Sequence, residues 1–176
     1  MGIIHQKKDF MKRQTFLLLI GLIGLLSAHA QTEIGADYRY NFGRSFSQHA
    51  IGGSLENFSG RNSWTVGISY NFSKIHPPAL GLHAGYRYSF SPGTSGNFLL
   101  GFNTSISFEK SGGANATRIT PSLEAGYHHT FNNFGKGAFV TPTLGAGYSF
   151  RPGGGNEREA DDEALFNVRV MTGYRF

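Results

Sequence analysis

The sequence predicts an all-β chain of eight antiparallel strands in up-and-down order, closed into a barrel that crosses a bilayer. Three observations predict it. Apolar and polar residues alternate with period two through run after run of ten or so residues. Of the 176 residues, 16 are Phe, 8 are Tyr and 25 are Gly, a composition of aromatic strands and tight turns rather than of apolar helices. The chain also stops flush with an alternating run, at Tyr174-Arg175-Phe176. Period-two alternation suits a strand with lipid on one side and a polar lumen on the other. A soluble β-sandwich would carry polar rather than aromatic residues on its outer faces.

The first thirty residues are read separately. Phe16 to Leu26 spells FLLLIGLIGLL, preceded by Lys12 and Arg13 and followed by Ala28-His29-Ala30. A basic pair, a short apolar core and an A-x-A site describe a secretory signal peptide, which is excluded from fold reasoning and implies Sec export. The apolar run is shorter than the roughly 20 residues a spanning helix needs. Met11 sits just before the basic pair, so translation is expected to start there, with residues 1–10 an overextended gene start. The remainder, 31–176, is expected to be one barrel domain.

Removing the leader changes the charge. Residues 1–30 hold Lys7, Lys8, Lys12 and Arg13 against Asp9, which is +3 of the whole chain's +5. The remaining +2, with no basic run among aromatics, argues against a nucleic-acid partner. The absence of cysteine excludes disulfides, thiolate metal sites, a Cys nucleophile and a lipid-modified N-terminal Cys.

The strands are predicted in order at 33–42, 49–58, 63–73, 79–91, 97–110, 119–131, 138–151 and 164–176. Each reaches about the 9–11 residues a tilted strand needs to cross a bilayer. The first turns Ile34, Ala36, Tyr38, Tyr40 and Phe42 outward and Asp37, Arg39 and Asn41 inward. The second is the weakest, because Ile51 and Leu55 share a face with Gly53 and Asn57; a bulge is expected to break its phase. The third alternates Trp64, Val66, Ile68, Tyr70 and Phe72 with Thr65, Gly67, Ser69 and Asn71. The fourth sets Leu80, Leu82, Ala84, Tyr86, Tyr88 and Phe90 against Gly81, His83, Gly85, Arg87 and Ser89. The fifth exposes Phe98, Leu100, Phe102, Ile106 and Phe108. The sixth and seventh share T-P-[ST]-L-x-A-G-Y, in ITPSLEAGY (119–127) and VTPTLGAGY (140–148), a strand solution used twice. Pro121 and Pro142 each forfeit a ladder bond and are expected at a strand start or a bulge. The eighth alternates Phe166, Val168, Val170, Thr172, Tyr174 and Phe176 with Asn167, Arg169, Met171, Gly173 and Arg175.

The inward set contains Asp37, Arg39, Glu56, Arg87, Glu109, Glu124, Arg169 and Arg175. An eight-stranded barrel is just wide enough for side chains to fill. Charges of both signs in that space are expected to pair, since burial is tolerable only for paired and hydrogen-bonded ions. The result would be a plugged polar lumen; the alternative is a narrow passive path for ions or small solutes. Trp64, Tyr86, Tyr88, Phe90, Tyr127, Phe131, Tyr148 and Phe150 are expected to form the aromatic girdle. No cofactor, metal or catalytic residue is assigned. The acidic tip Glu157, Glu159, Asp161, Asp162 and Glu163 lacks the ligand spacing and internal Gly of a calcium loop. His83 and His128 both point inward, a weak signal for a shared metal.

With leader, strand number, alternation and terminal Phe together, the chain resembles the small bacterial outer-membrane β-barrel proteins of the OmpA/OmpX type. The resemblance implies that Tyr174 and Phe176 belong to the signal read by the barrel-assembly machinery. It implies contacts with outer-membrane lipids and lipopolysaccharide, a monomer, and a structural or surface-interaction role in the outer membrane rather than an enzymatic one. It also puts the C-terminus on the periplasmic side. The turns 59–62, 92–96 and 132–137 are then periplasmic, and the loops 43–48, 74–78, 111–118 and 152–163 extracellular. His128-His129-Thr130 resembles the His-x-Ser element of barrel lipid A deacylases. Thr replaces Ser there, and the triplet falls at the periplasmic end, away from outer-leaflet lipid A. A lipid A-modifying enzyme is therefore the third reading.

Overall fold

The computed structural model describes residues 31–44, 47–73, 78–111, 114–132, 136–152 and 162–176. The expected leader, the acidic residues Glu157, Glu159 and Asp161, and the tips of several loops lie outside the described residues. Eight strands close into one antiparallel barrel in chain order. They are β1 (Gln31–Gly43), β2 (Ser47–Ser59), β3 (Asn62–Phe72), β4 (Ala79–Ser89), β5 (Gly96–Ser111), β6 (Ala114–Thr130), β7 (Gly137–Ser149) and β8 (Glu163–Arg175). β8 pairs with β1 from Glu33↔Arg175 to Gly43↔Leu165, so no strand edge is left unpaired.

The registers fix the geometry. From Glu33 the pairing runs through Glu56, Thr65, Gly85, Asn103, Ser122, Gly147 and Leu165, and returns to β1 at Gly43. The return is ten residues further along β1, the shear of the barrel. Ten residues at about 3.3 Å, set against eight strand spacings of about 4.7 Å, correspond to a tilt of roughly 40°. Each residue step then advances about 2.5 Å along the barrel axis.

Alternation sorts the side chains. Ile34, Ile68, Leu80, Leu123 and Leu144 cover the outer wall, and Asp37, Glu56, Arg87, Glu124 and Arg169 lie buried inside. Aromatic residues gather toward both ends of the wall. At the end carrying Gln31 and Phe176, Trp64 meets Tyr86 with ring centres 4.8 Å apart, Phe98 meets Tyr127 at 5.2 Å, and Tyr174 meets Phe176 at 5.1 Å. Tyr88, Phe90 and Phe131 belong to this end. At the other, His49 stacks on Tyr40 at 4.6 Å and on Phe72 at 5.4 Å, and Tyr148 stacks on Phe150.

Three local expectations are corrected. β2 carries no bulge: its registers with β1 and β3 are continuous from end to end. Its alternation is blurred because Gly52 and Gly53 stand side by side and erase one contrast between the faces. Gly52 is needed there, since a Cβ would run into the Ile68 carbonyl of β3. Of the expected loop 111–118, Ser111 and residues 114–118 are strand. β6 begins at Ala114, and the β5–β6 ladder extends to Ser111↔Ala114, so this hairpin is the longest of the barrel. Polar Asn115, Thr117 and Arg118 hide that strand from a reading based on apolar alternation.

The third correction concerns the prolines. Pro121 and Pro142 sit inside β6 and β7, not at a strand start or a bulge. Ile119 and Phe150 exchange both backbone hydrogen bonds. By the two-residue alternation of an antiparallel ladder, Pro121 opposite Tyr148 and Pro142 opposite Tyr127 fall at hydrogen-bonding positions. Both missing N–H groups therefore face the β6–β7 seam. The two copies of T-P-[ST]-L-x-A-G-Y lie antiparallel on this seam and pair with each other. Leu123 faces Ala146, Ala125 faces Leu144, Ser122 faces Gly147, and Gly126 faces Thr143. The repeat is thus a local two-fold in which large residues meet small ones.

Candidate functional site: the ionic lumen

The strands project charges of both signs into a space about one side chain wide from each wall. In the middle of the lumen, Arg169 of β8 donates through Nε to Asp37 Oδ2 of β1 at 2.7 Å, and a second bond from Nη2 reaches the same oxygen. Its Nη1 lies 3.7 Å from Glu124 of β6. Glu124 in turn lies 3.7 Å from Arg87 Nη2 of β4, and Arg87 Nη1 donates to Glu56 Oε2 of β2 at 2.6 Å. Ser63 of β3 donates to the other Glu56 oxygen. The series Asp37, Arg169, Glu124, Arg87, Glu56 therefore links β1, β8, β6, β4 and β2 across the lumen, with all five side chains at most 5 % exposed. His83 joins at its edge, with Nε2 3.3 Å from Arg169 Nη2.

A second cluster closes the end near the described termini. Arg175 donates through Nε to Glu33 Oε1 at 2.7 Å, and its guanidinium carbon lies 4.5 Å from the centre of the Phe58 ring. Its Nη2 lies 2.8 Å from His128 Nε2. A guanidinium can only donate, so His128 Nε2 accepts and the ring proton sits on Nδ1. That Nδ1 donates to Thr141 Oγ1 at 2.8 Å. Thr130 Oγ1 lies 3.0 Å from Nε2, which brings the His128–Thr130 pair of the deacylase-like triplet together. A hydroxyl nucleophile needs a base with a free lone pair. Here Arg175 occupies that lone pair. His129 faces outward beside Tyr127 and Phe131.

A third cluster lies at the opposite end. Glu109 of β5 meets Arg118 Nε at 3.3 Å and Arg151 Nη2 at 3.2 Å, and Arg118 Nη1 donates to Ser149 Oγ at 3.1 Å. Asp162, at the base of the acidic tip, accepts a bond from the backbone N–H of Arg151 at 3.1 Å. Among the described residues no three His, Asp or Glu side chains converge as metal ligands. His83 and His128 belong to different clusters.

All eight charges picked from the sequence are buried in the lumen. They do not form one network. Arg175 and Glu109 belong to the end clusters. Arg39 stands apart: among the described residues it has no carboxylate within the 4.0 Å of an ion pair, and its register partner is the like-charged Arg169. Reading the sequence missed Glu33, Arg118 and Arg151. Glu33 shares parity with Asp37, which was signal enough. Arg118 lies in the polar start of β6, where apolar alternation gives no signal.

No protein-family model and no curated protein sequence matches this chain. Solved structures do. The N-terminal β-barrel domain of Pseudomonas aeruginosa OprF superimposes with a TM-score of 0.59 at 14% identity, covering 83% of this chain and 97% of that one. Neisserial surface protein A superimposes with a TM-score of 0.56 at 12% identity, covering 83% and 95%. At such identities the likeness concerns the fold, which is that of the small OmpA/OmpX-type eight-stranded barrels.

Proposed function

We propose that the chain is an integral barrel of the bacterial outer membrane, structural or surface-interacting in role, whose lumen is plugged by its own ion pairs. The observation that carries the plug is the series from Asp37 to Glu56, which links charges from five of the eight strands inside the lumen. Each cation in it lies within ion-pair distance of carboxylates from two strands, so a permeating ion would have to disrupt paired, desolvated charges. The membrane reading rests on the apolar outer wall with aromatics toward both ends and on the fold shared with outer-membrane barrels. Outer-membrane lipids, lipopolysaccharide and the assembly machinery are its partners in this reading, and the barrel works as a monomer without catalysis. The test is conductance in planar bilayers. Purified protein is expected to show little or no steady current; a large, stable open channel would overturn the plug.

Arg39 favours a second reading, a narrow passive channel. Between it and the Glu109 cluster the lumen is lined by small or neutral residues, among them Ala50, Ser105, Ser107 and Asn167. A guanidinium without a bound carboxylate facing such a space would favour anions. Brief openings with anion preference, lost in Arg39→Gln, would support this reading.

A further inference from the structure

The outer wall is not uniformly smooth. A cavity of about 520 Å³ opens on it across β5, β6 and β7, bounded by Phe90, Phe98, Leu100, Tyr127, Leu144 and Val168. Its floor is Ala125, Gly126 and Pro142, together with Leu99 and Thr143, which point inward and are nearly inaccessible. The wall is thin there for two reasons on the β6–β7 seam. Ala125, the outward residue of β6 at this point, carries only a methyl group beside the inward-facing Gly126. Pro142, outward and exposed, removes a ladder donor and lines the groove with a short ring in place of a long side chain.

We propose that this groove holds one acyl chain of a phospholipid from the leaflet on the side of the described termini. The inference rests on the membrane reading above. Size, chemistry and depth point to a chain. The volume lies within the ~300–1,000 Å³ of small-molecule sites, and the walls are almost entirely apolar. The groove residues Pro142 and Leu144 stand six and eight positions along β7 from Lys136, an exposed cation in the β6–β7 turn. At about 2.5 Å per residue along the axis that is roughly 15–20 Å. One leaflet contributes about half of the ~30 Å hydrocarbon core. A headgroup phosphate at the level of Lys136 therefore sends its tail to the groove. The local two-fold of the repeat supplies the shape, with small Ala125 and Gly126 between large Leu100, Tyr127 and Leu144.

The test uses full-length protein reconstituted in vesicles of phosphatidylethanolamine and phosphatidylglycerol with 16- and 18-carbon chains. The protein is then extracted into mild detergent and weighed by native mass spectrometry. Ala125→Phe fills the groove from the lipid side. Ala84→Phe makes the same change on β4, away from it. Wild type and Ala84→Phe are expected to retain one phospholipid per barrel. Ala125→Phe, still folded by its heat-modifiable migration, is expected to retain at least tenfold less. Equal retention in all three, or none in wild type, overturns the groove while leaving the membrane reading intact. Failure of wild type to float with the vesicles overturns both. If Ala125→Phe does not fold, Leu144→Trp provides a second way to fill the groove, and the same loss is expected.

Discussion

Two seams of the barrel are held in opposite ways. The β1–β8 seam joins the two ends of the domain, and its ladder is continuous from Glu33 to Gly43. On the lumen side it is crossed twice by ion pairs, Arg169 to Asp37 and Arg175 to Glu33. The β6–β7 seam joins neighbours through a short turn and has a proline at two of its hydrogen-bonding positions. The difference follows from closure entropy. A contact between chain ends costs more to form than one across a short hairpin. Strong directional pairing is therefore concentrated where closure is dearest, and the hairpin tolerates a thinned ladder.

The largest expected effect comes from breaking the stronger seam. Arg169→Ala leaves Asp37 without the guanidinium that donates to it twice and Glu124 with only Arg87. Removal of one partner from a buried pair costs about 3–5 kcal/mol, less where lumen water reaches the survivor. Urea unfolding in vesicles should show this loss, and planar bilayers should show raised leak current. Replacing both members, Arg169→Met with Asp37→Leu, should recover most of the stability, because no carboxylate is left without its cation. Full stability in the single variant would mean the seam is held by its ladder alone.

The second comparison concerns the outer faces, which the seams share. Val170 on β8 and Leu144 on β7 are both outward and near the same depth. Val170→Arg and Leu144→Arg should each cost about 2–4 kcal/mol, the penalty for a cation at the bilayer midplane. Similar costs would place the contrast between the seams in their lumen contacts and ladders. Negligible costs in both would count against a lipid-facing wall.

Much of this was legible in the sequence. Alternation separated wall from lumen because the period is two and each face meets a single environment. It therefore placed Asp37, Glu124 and Arg169 inside together. What it lacked was partner choice, which depends on shear: Arg169 reaches Asp37, two residues along β1 from its register neighbour Arg39, because tilted strands offset the side chains along the axis. Alternation also failed where residues are small or polar on both faces, at Gly52-Gly53 and at 114–118. The self-pairing of the repeat was invisible for another reason: like sequences on adjacent strands need not meet in register.

The smallest effect should come from mending the weaker seam. Pro142→Val restores an N–H opposite the Tyr127 carbonyl, at a position where the register already calls for a bond. A net hydrogen bond contributes about 0.5–1.5 kcal/mol, and a β-branched residue suits a strand interior. The variant should therefore unfold at slightly higher urea, and amide exchange should slow along β6 and β7 but not along β1 and β8. The same change in Pro121→Val, opposite Tyr148, should add a similar increment if the local two-fold holds energetically as well as in register. Unchanged stability in both would show that the prolines cost the seam nothing, and that water or a neighbouring donor already serves those carbonyls. A gain at Pro142 alone would locate the weakness under the groove, where the floor has neither a side chain at Gly126 nor a donor at Pro142.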